Sequence, residues 1–318
     1  MEWKTKVTKL LDIKYPIVQG GLAYLAYADL AAAVSNAGGL GQITAMSLPD
    51  EHRLREEIQK VKSLTDKPFG VNLAIGQHGR PYDHMLQVVL EEKVPVLSIT
   101  GGNPKDILNK AKGEDIKTLV LVAAKRQAVK AEELGADAVM VVGYEGGGHL
   151  GRGDMGTMVL TPFVGEHVSI PVIASGGIVD GKGLMAALAL GAEGVEMGTR
   201  FIATKECVDA HVSYKQAILN AGEVSTVVIK RSIGTPARAL RNSWTEQILE
   251  MEKLEPGYDA LKDLISGQAN QNYIINGDEQ MGFGWSGQGA ARINDISPVD
   301  EVIQAIIKEA EQIRTSWQ

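Results

Sequence analysis

Short apolar runs alternate with longer amphipathic segments along the chain as far as Phe201. The runs are continuous stretches of Val, Ile, Leu and Ala, which is typical of parallel strands covered on both faces. The segments between them repeat their apolar positions with the period of a helix. The predicted strands begin near Tyr15, Leu40, Phe69, Val96, Thr118, Ala138, Pro171 and Gly194. The predicted helices span residues 28–36, 50–63, 82–93, 104–112, 126–134 and 183–190.

The strand starts recur at intervals of about 20 to 30 residues, which is the length of a strand, a helix and their loops. Eight such units predict an α/β fold, a TIM-type (β/α)8 barrel. The near-copies LGADAV at 134–139 and LGAEGV at 190–195 support this count, because each places a glycine where a helix ends before a strand. A doubly wound open sheet is the less favoured alternative, since no GxGxxG follows the first predicted strand.

The chain changes character after Phe201. Charge-rich helical segments are predicted at 208–221, 242–253 and 258–266, and they form a helical lid over the barrel mouth. A glycine-rich segment, MGFGWSGQG, precedes a last helix at 299–314 whose apolar face packs back on the barrel. The domain limits are therefore a barrel of residues 1–204, a lid of 205–280 and a returning segment of 281–318.

Composition narrows the possible functions. The formal net charge is -7, so binding to nucleic acid has no electrostatic support. The single cysteine, Cys207, excludes an internal disulfide, suits a reducing cytoplasm and is predicted to pack inertly. No apolar run approaches the roughly 18 residues of a membrane span, and the first residues lack the apolar core of a signal peptide. We expect a cytoplasmic protein that acts on a small molecule.

The interval between the sixth and seventh predicted strands is unusually long, and it contains the stretch GYEGGGHLG at 143–151. Glycines let a backbone pass close to a flat ligand. The loop follows a strand, at the rim where barrels build their active sites. His149 is therefore the candidate catalytic residue, an acid or base titrating near neutrality. A loop histidine bound to a backbone carbonyl is the alternative. No second histidine lies at ligand spacing, so no metal site is predicted.

Two further glycine-rich loops follow the seventh and eighth predicted strands. The amides of Gly176, Gly177, Gly198 and Thr199 are expected to bind a phosphate, which barrels of this type hold at these loops. Tight turns without a ligand are the alternative. Arg200 either supports the phosphate or braces the lid.

Polar side chains end the first and third strands. Gln19 and Asn72 carry amides, which donate and accept hydrogen bonds, so they suit the mixed polar edge of a flavin ring. Satisfied strand-end amides are the alternative for both residues.

These motifs, taken in order, resemble the nitronate monooxygenase family, formerly 2-nitropropane dioxygenases, which includes FMN-dependent enoyl-acyl-carrier-protein reductase II enzymes. The resemblance spans nearly the whole chain. It rests on YPIVQGG at 15–21, AVSNAGGLG at 33–41, KPFGVN at 67–72, GHLG at 148–151, ASGGI at 174–178, GTRF at 198–201 and WSGQG at 285–289.

The resemblance implies an FMN-containing oxidoreductase in which His149 acts on the substrate beside the flavin. It also implies a set of cofactor-binding residues. These are Gln19, Gly20, Gly21, Asn72, Thr100, Gly147, Gly148, Gly151, Ser175, Gly176, Gly177, Gly198, Thr199 and Gln288.

Some positions depart from the family pattern, notably EGGGH at 145–149, QITAM at 42–46 and AAK at 123–125. They line the expected pocket mouth, where Lys125 either meets FMN or begins a solvated helix, and Glu145 either orients His149 or faces solvent. The favoured function is oxidative denitrification of alkyl nitronates with O2. The alternative is NAD(P)H-dependent reduction of an enoyl thioester or a quinone at the same flavin, and a homodimer is possible in either case.

Overall fold

A computed structural model describes residues 2–76, 81–254 and 257–316. Its strands lie close to the predicted positions, with three additions. The strands are β1 (Ile17–Gln19), β2 (Gly41–Thr44), β3 (Phe69–Ala74), β4 (Val96–Thr100), β5 (Lys117–Val122), β6 (Ala138–Val142), β7 (Gly148–His149), β8 (Val172–Ser175), β9 (Gly194–Met197), β10 (Thr226–Ile229) and β11 (Ala237–Leu240).

Eight of these strands pair in parallel in the order β1-β9-β8-β6-β5-β4-β3-β2. The two end strands meet through Leu40, whose amide donates to Ile17 O at 2.9 Å and whose carbonyl accepts from Gln19 N at 2.9 Å. This contact closes the sheet into a barrel, which leaves no free edge. The predicted (β/α)8 fold is therefore confirmed.

The barrel interior is a packed layer of aliphatic side chains, as parallel strands buried on both faces require. Every position of β6 is buried, for example. The first helix closes the end where the strands begin, because its apolar side chains join the interior cluster. That cluster contains Val7, Leu11, Ile13, Val18, Leu40, Val96, Leu119, Ala138, Met140 and Ile173.

The helices predicted between the strands are all present, with ends that differ by a few residues. The helices are α1 (Lys6–Leu11), α2 (Ala28–Asn36), α3 (Glu51–Leu64), α4 (Asp83–Glu91), α5 (Lys105–Ala111), α6 (Lys125–Glu133), α7 (Thr157–Gly165), α8 (Gly181–Ala189), α9 (Thr199–Ile202), α10 (Val212–Leu219), α11 (Ser243–Glu252), α12 (Tyr258–Leu261), α13 (Gly267–Ile274) and α14 (Val299–Ser316).

Two of these helices carry weak sequence signals. Helix α7 contains Pro162, which has no amide hydrogen and interrupts a helical pattern. Helix α1 is only six residues long, although Thr5 and Thr8 cap its start reciprocally. No helix of the described residues has the length and apolar character needed to cross a membrane.

The lid is not purely helical. Strands β10 and β11 pair antiparallel within it, and β11 also pairs with β7, so the lid and the loop after β6 share a three-stranded sheet. The β-branched run of β10, TVVI, is a strand signal. This strand is absent from the sequence prediction because the predicted helices on either side of it, 208–221 and 242–253, are longer and more regular.

The last helix returns to the barrel as its apolar period predicts. Helix α14 packs against α8 and α2. Its buried face consists of Val299, Val302, Ile303, Ile306, Ile307 and Ala310. Gly181 allows this close packing, because a Cβ at that position would lie 2.5 Å from Ile306 O and 2.6 Å from Ala310 N.

Replacing Gly181 with alanine is expected to push α14 from α8 and to lower the free energy of unfolding by ~1–3 kcal/mol, the usual cost of overpacking. Urea unfolding followed by tryptophan fluorescence measures the loss. Gly165→Ala is the matched control, since a Cβ on that exposed helical glycine meets no atom within 4 Å. Equal stability of the two variants would show that the α8–α14 contact tolerates the methyl group.

Candidate active site

The candidate catalytic histidine lies in an expanded loop that starts where β6 ends at Val142. The loop forms the short strand β7, in which Gly148 pairs with Arg238 and His149 pairs with Ala237 of β11. The pairing is antiparallel and is extended by a bond from Leu150 N to Pro236 O at 2.8 Å. The backbone of His149 is thus held by the lid as well as by the barrel.

Two positions of this loop favour glycine, each for a different structural reason. A Cβ on Gly147 would lie 2.6 Å from Gly287 N and 2.7 Å from the carbonyl carbon of Ser286, so only glycine permits this backbone contact. Gly148 has a φ of +73°, a left-handed conformation that glycine adopts without strain. The predicted roles of Gly147, Gly148 and Gly151 in cofactor binding remain predictions.

Lys230 is the direct polar partner of His149. Its Nζ lies 2.7 Å from His149 Nε2. An ammonium group has only donors, so the imidazole Nε2 is the acceptor. Both groups lie beside Trp285, whose ring centroid is 5.7 Å from the His149 ring and 5.8 Å from Lys230 Nζ.

The two side chains differ in their access to solvent. Lys230 is buried, with 8% of its surface exposed. His149 keeps an exposed surface, although enough protein surrounds its ring to disfavour a charge there. Trp285 covers one side of the pair and is itself only partly exposed.

This environment holds the imidazole in its neutral form. Burial lowers the pKa of His149, and the Lys230 ammonium lowers that pKa further, to about 4. Burial also lowers the pKa of Lys230, to about 8, although the negative charge of Glu252 acts to raise it. At neutral pH the proton therefore resides on Lys230, and the neutral His149 ring carries its own hydrogen on Nδ1.

Glu145 does not contact His149. Its Oε2 accepts hydrogen bonds from Thr157 N at 2.8 Å and Thr157 Oγ1 at 3.0 Å. A carboxylate at the first residue of α7 satisfies a backbone amide that has no partner within the helix. Glu145 therefore anchors the loop to α7 and leaves the chemistry to other groups.

The predicted phosphate loops meet at one edge of the barrel. Ser175 and Glu196 are aligned in the parallel pairing of β8 with β9, so Gly176, Gly177 and Gly198 follow side by side. Gly176 and Gly177 have φ values of +99° and +75°.

The backbone amides of these loops are available to a ligand. Within the described residues, the amides of Gly176, Gly177, Gly198 and Thr199 donate to no protein acceptor. A Cβ on Gly198 would meet only the end of the Leu22 side chain, at 3.3 Å. Four neighbouring backbone donors without a protein acceptor suit the binding of an anion.

The amides at the other strand ends are engaged to different degrees. Gln19 is fully buried, its Oε1 accepting from Gln42 N at 2.9 Å and its Nε2 donating to Gly20 O. Asn72 Nδ2 donates to Ser98 Oγ and Thr100 Oγ1, both at 2.9 Å. Asn72 Oδ1 accepts from no described residue, and it lies where a Cβ on Gly21 would come within 2.6 Å. Asn72 thus keeps an acceptor for a ligand, whereas both polar ends of the Gln19 side chain are already engaged.

The late glycine-rich segment joins the two halves of the site. Gly287 N donates to Thr199 Oγ1 at 3.0 Å, and Gln288 N donates to Glu145 O at 2.9 Å. Gln288 is exposed at the start of a short 3-10 helix, Gln288–Arg292. The segment therefore bridges the loop of His149 and the phosphate loops.

Three side chains that the sequence motifs do not mark are important at this site. Lys230 lies beyond the barrel motifs, and only the fold brings it to His149. Arg238 is buried; its Nε and Nη2 donate to Tyr144 O at 3.2 and 2.9 Å, and its guanidinium lies 4.5 Å from the Tyr144 ring centroid. Glu196 is buried beside Gly20. Burial raises the pKa of its carboxyl group, although a hydrogen bond from Ser175 acts to lower it.

The structure also shows the contacts of three residues whose roles the sequence left open. Arg200 braces the returning segment, since its Nη1 bonds Asp295 Oδ1 at 2.8 Å and its Nη2 donates to Asp295 O at 2.8 Å. Lys125 begins α6 and lies over the Phe163 ring at 5.3 Å. Cys207 is buried, and burial raises the pKa of its thiol to about 12, which makes it inert.

Among the described residues, no group of three or more His, Cys, Asp or Glu side chains is placed to hold a metal ion.

Comparisons with known proteins agree on one family. The family model described as nitronate monooxygenase matches residues 4–79 and 74–309. The probable nitronate monooxygenase of Staphylococcus haemolyticus is 32% identical over 358 aligned positions, which cover 99% of this chain and 99% of the relative. That of Staphylococcus saprophyticus is 33% identical over 356 positions, covering 98% of this chain and 99% of the relative.

Two solved structures share both the fold and the length of the chain. FabK from Thermotoga maritima superposes with a TM-score of 0.92 at 41% identity, covering 99% of this chain and 98% of that chain. Nitroalkane oxidase from Streptomyces ansochromogenes superposes with a TM-score of 0.84 at 28% identity, covering 98% of this chain and 99% of that chain.

Arg238→Met is expected to lower the free energy of unfolding by ~1–3 kcal/mol, because Tyr144 O is left without its donor in a mostly buried position. Urea unfolding measures the change. Arg241→Met is the control, since Arg241 directly follows the same strand but is exposed, and exposed ion pairs contribute ~0–1 kcal/mol. If Arg238→Met unfolded at the same urea concentration as the control, Arg238 would not hold the loop.

Proposed function

This chain belongs to the nitronate monooxygenase family of oxidoreductases, and we propose that it binds FMN and reduces the double bond of an enoyl thioester with NADH or NADPH. When bound, the flavin supplies the hydride. The protein residues hold the cofactor, orient the small-molecule substrate and supply a proton.

The fit to FMN rests on the free donors at the barrel rim. The amides of Gly176, Gly177, Gly198 and Thr199 would hold the phosphate, because they have no acceptor within the described protein. Asn72 Oδ1 would accept from the ring system. The other predicted contacts, from Gln19, Gly20, Gly21, Thr100, Gly147, Gly148, Gly151, Ser175 and Gln288, belong to the same proposal.

The hydrogen bonding and the protonation state of His149 are the reason that we propose a reduction. A general base needs a free lone pair, but His149 Nε2 already accepts from the Lys230 ammonium at 2.7 Å. The pKa of His149, lowered to about 4, makes the ring a weak base at neutral pH. What remains is the Nδ1–H of the neutral ring, with the Lys230 ammonium behind it as a source of a proton. Reduction of a double bond requires a proton donor, since a hydride and a proton are added.

The degree of similarity supports the same choice. FabK, an enoyl-acyl-carrier-protein reductase II, is 41% identical to this chain, whereas the nitroalkane oxidase is 28% identical. Both values refer to nearly complete chains, so they can be compared directly.

Nitronate oxidation is a second candidate, and the resemblance of the sequence by itself favours it. The names of the Staphylococcus relatives support it, as does the Lys230 ammonium, which would attract an anionic nitronate. A nitronate is already deprotonated, however, so its oxidation gives the proton donor at His149 no role.

Anaerobic mixing in a stopped-flow spectrophotometer tests the function. NADH or NADPH is expected to bleach the flavin absorbance, and crotonyl thioester is expected to restore it. A flavin that stays oxidised with both nucleotides, but is bleached by propyl-2-nitronate, would reject reduction and support nitronate oxidation. A preparation with no flavin absorbance, which also binds no added FMN, would contradict both.

The phosphate site is tested with Gly177→Ala. The alanine strains a backbone at φ +75° and redirects the amide, so the Kd for FMN is expected to rise about tenfold, which is ~1.4 kcal/mol. Fluorescence titration of the flavin-free protein gives the Kd. Gly191→Ala is the matched control, because Gly191 has a φ of +89° but precedes β9 at the other end of the barrel. Equal Kd values in the two variants would move the phosphate elsewhere.

A further inference from the structure

We propose that Lys230 is a positioning residue for His149, which fixes the imidazole tautomer and resupplies the proton that His149 gives to the substrate. The inference rests on the proposed reduction of an enoyl thioester. It concerns a residue of the lid, outside the motifs that carry the family resemblance.

The backbone at Lys230 is built to hold this side chain in place. Lys230 follows β10 with a φ of +67°, a strained conformation for a residue other than glycine. Its amide donates to Glu252 Oε2 at 2.9 Å, and its carbonyl accepts from Thr235 N at 3.1 Å. A residue kept at a strained position by several bonds is typical of a functional site.

The contact joins two strands of one small sheet. His149 lies on β7 and Lys230 directly follows β10, with β11 between them. Neighbouring strands are close to 5 Å apart, so a lysine chain can reach across the intervening strand. Trp285 covers the pair, which keeps the ammonium from competing water.

Among the described residues, few charged groups influence the protonation of Lys230 and His149. Glu252, on α11, faces Lys230, and its Oε1 also accepts from Ser232 N and Ser232 Oγ at 2.9 Å. The Lys230 ammonium lowers the pKa of His149. The neighbouring Arg231 is turned away, toward Asp154 at 3.1 Å. Within the described residues no carboxylate bonds His149, so Lys230 is its source of a proton.

The proton transfer balances in atoms and charge. A bound flavin, with NAD(P)H as the reductant, would supply the hydride that adds to the β-carbon of the thioester. The resulting electron pair on the α-carbon takes the hydrogen from His149 Nδ1, and the electrons of that N–H bond return to the ring. Nε2 then takes a proton from Lys230 Nζ. His149 ends neutral with its hydrogen on Nε2, and Lys230 ends as an amine that regains its proton from water.

The geometry leaves His149 Nδ1 free for this role. Nε2 is occupied by Lys230, whereas Nδ1 has no hydrogen-bond partner among the described residues. His149 is also exposed, so a substrate can reach the ring. The lysine therefore determines which nitrogen can meet the substrate.

The pH dependence of the holoenzyme tests the inference. In the wild type, kcat for crotonyl thioester reduction is expected to fall as the pH rises above about 8, where Lys230 loses its proton. Lys230→Arg keeps a cation with a pKa above 12, so this limb is expected to move to higher pH. Lys230→Met is expected to lose the limb and to lower kcat by about a hundredfold, within the range for a lost general acid.

The control is Lys253→Met, which removes an exposed lysine of the same lid. It should keep the wild-type profile. An alkaline limb that stays at the same pH in Lys230→Arg, or survives in Lys230→Met, would overturn the role of Lys230. A wild type without thioester turnover would instead defeat the proposed function.

A second readout needs no turnover. In protein labelled with 15N-histidine, the His149 signals, identified by their loss in His149→Gln, should show the Nδ1–H tautomer at neutral pH. Lys230→Met should raise the pKa of His149 and mix the tautomers, while the signals of the other five histidines stay in place. An unchanged His149 titration would show that the contact is only structural.

Discussion

The antiparallel pairing of Gly148 and His149 with β11 is the contact on which the arrangement of this site depends. It ties an expanded loop of the barrel to a sheet of the lid, so the histidine cannot move independently of either. Ordering a glycine-rich loop costs much conformational entropy. The backbone hydrogen bonds to β11 and the close approach of Gly147 to Gly287 offset this cost without requiring large side chains.

The same pairing explains the electrostatics of the site. By bringing β10 and β11 against the loop, it places a buried ammonium 2.7 Å from the imidazole. The imidazole is then neutral and the lysine holds the proton, which follows their ordinary order of basicity even though burial lowers the pKa of both groups. In the proposed reaction, a histidine that would act as a base in isolation serves as a donor supported by a cation.

Much of the fold was predictable from the sequence, because buried parallel strands and amphipathic helices have strong local patterns. Strand β6 and helix α2 lie where the apolar periods place them. Helix α7 was not predictable, since Pro162 interrupts its pattern. Strand β7 has two residues, and a strand that short exists only because β11 provides its partner.

The barrel, the candidate histidine and the glycine loops could be predicted from local residue patterns, since each depends on residue types close together in the chain. The roles of Glu145, Arg200 and Lys230 were decided only by the tertiary structure. Glu145 meets Thr157, Arg200 meets Asp295, and Lys230 meets His149 from 81 residues away. No local pattern encodes such contacts, because they join residues that are separated in sequence and become neighbours only in the folded chain. The direction that we propose for proton transfer at His149 therefore depends on the tertiary structure.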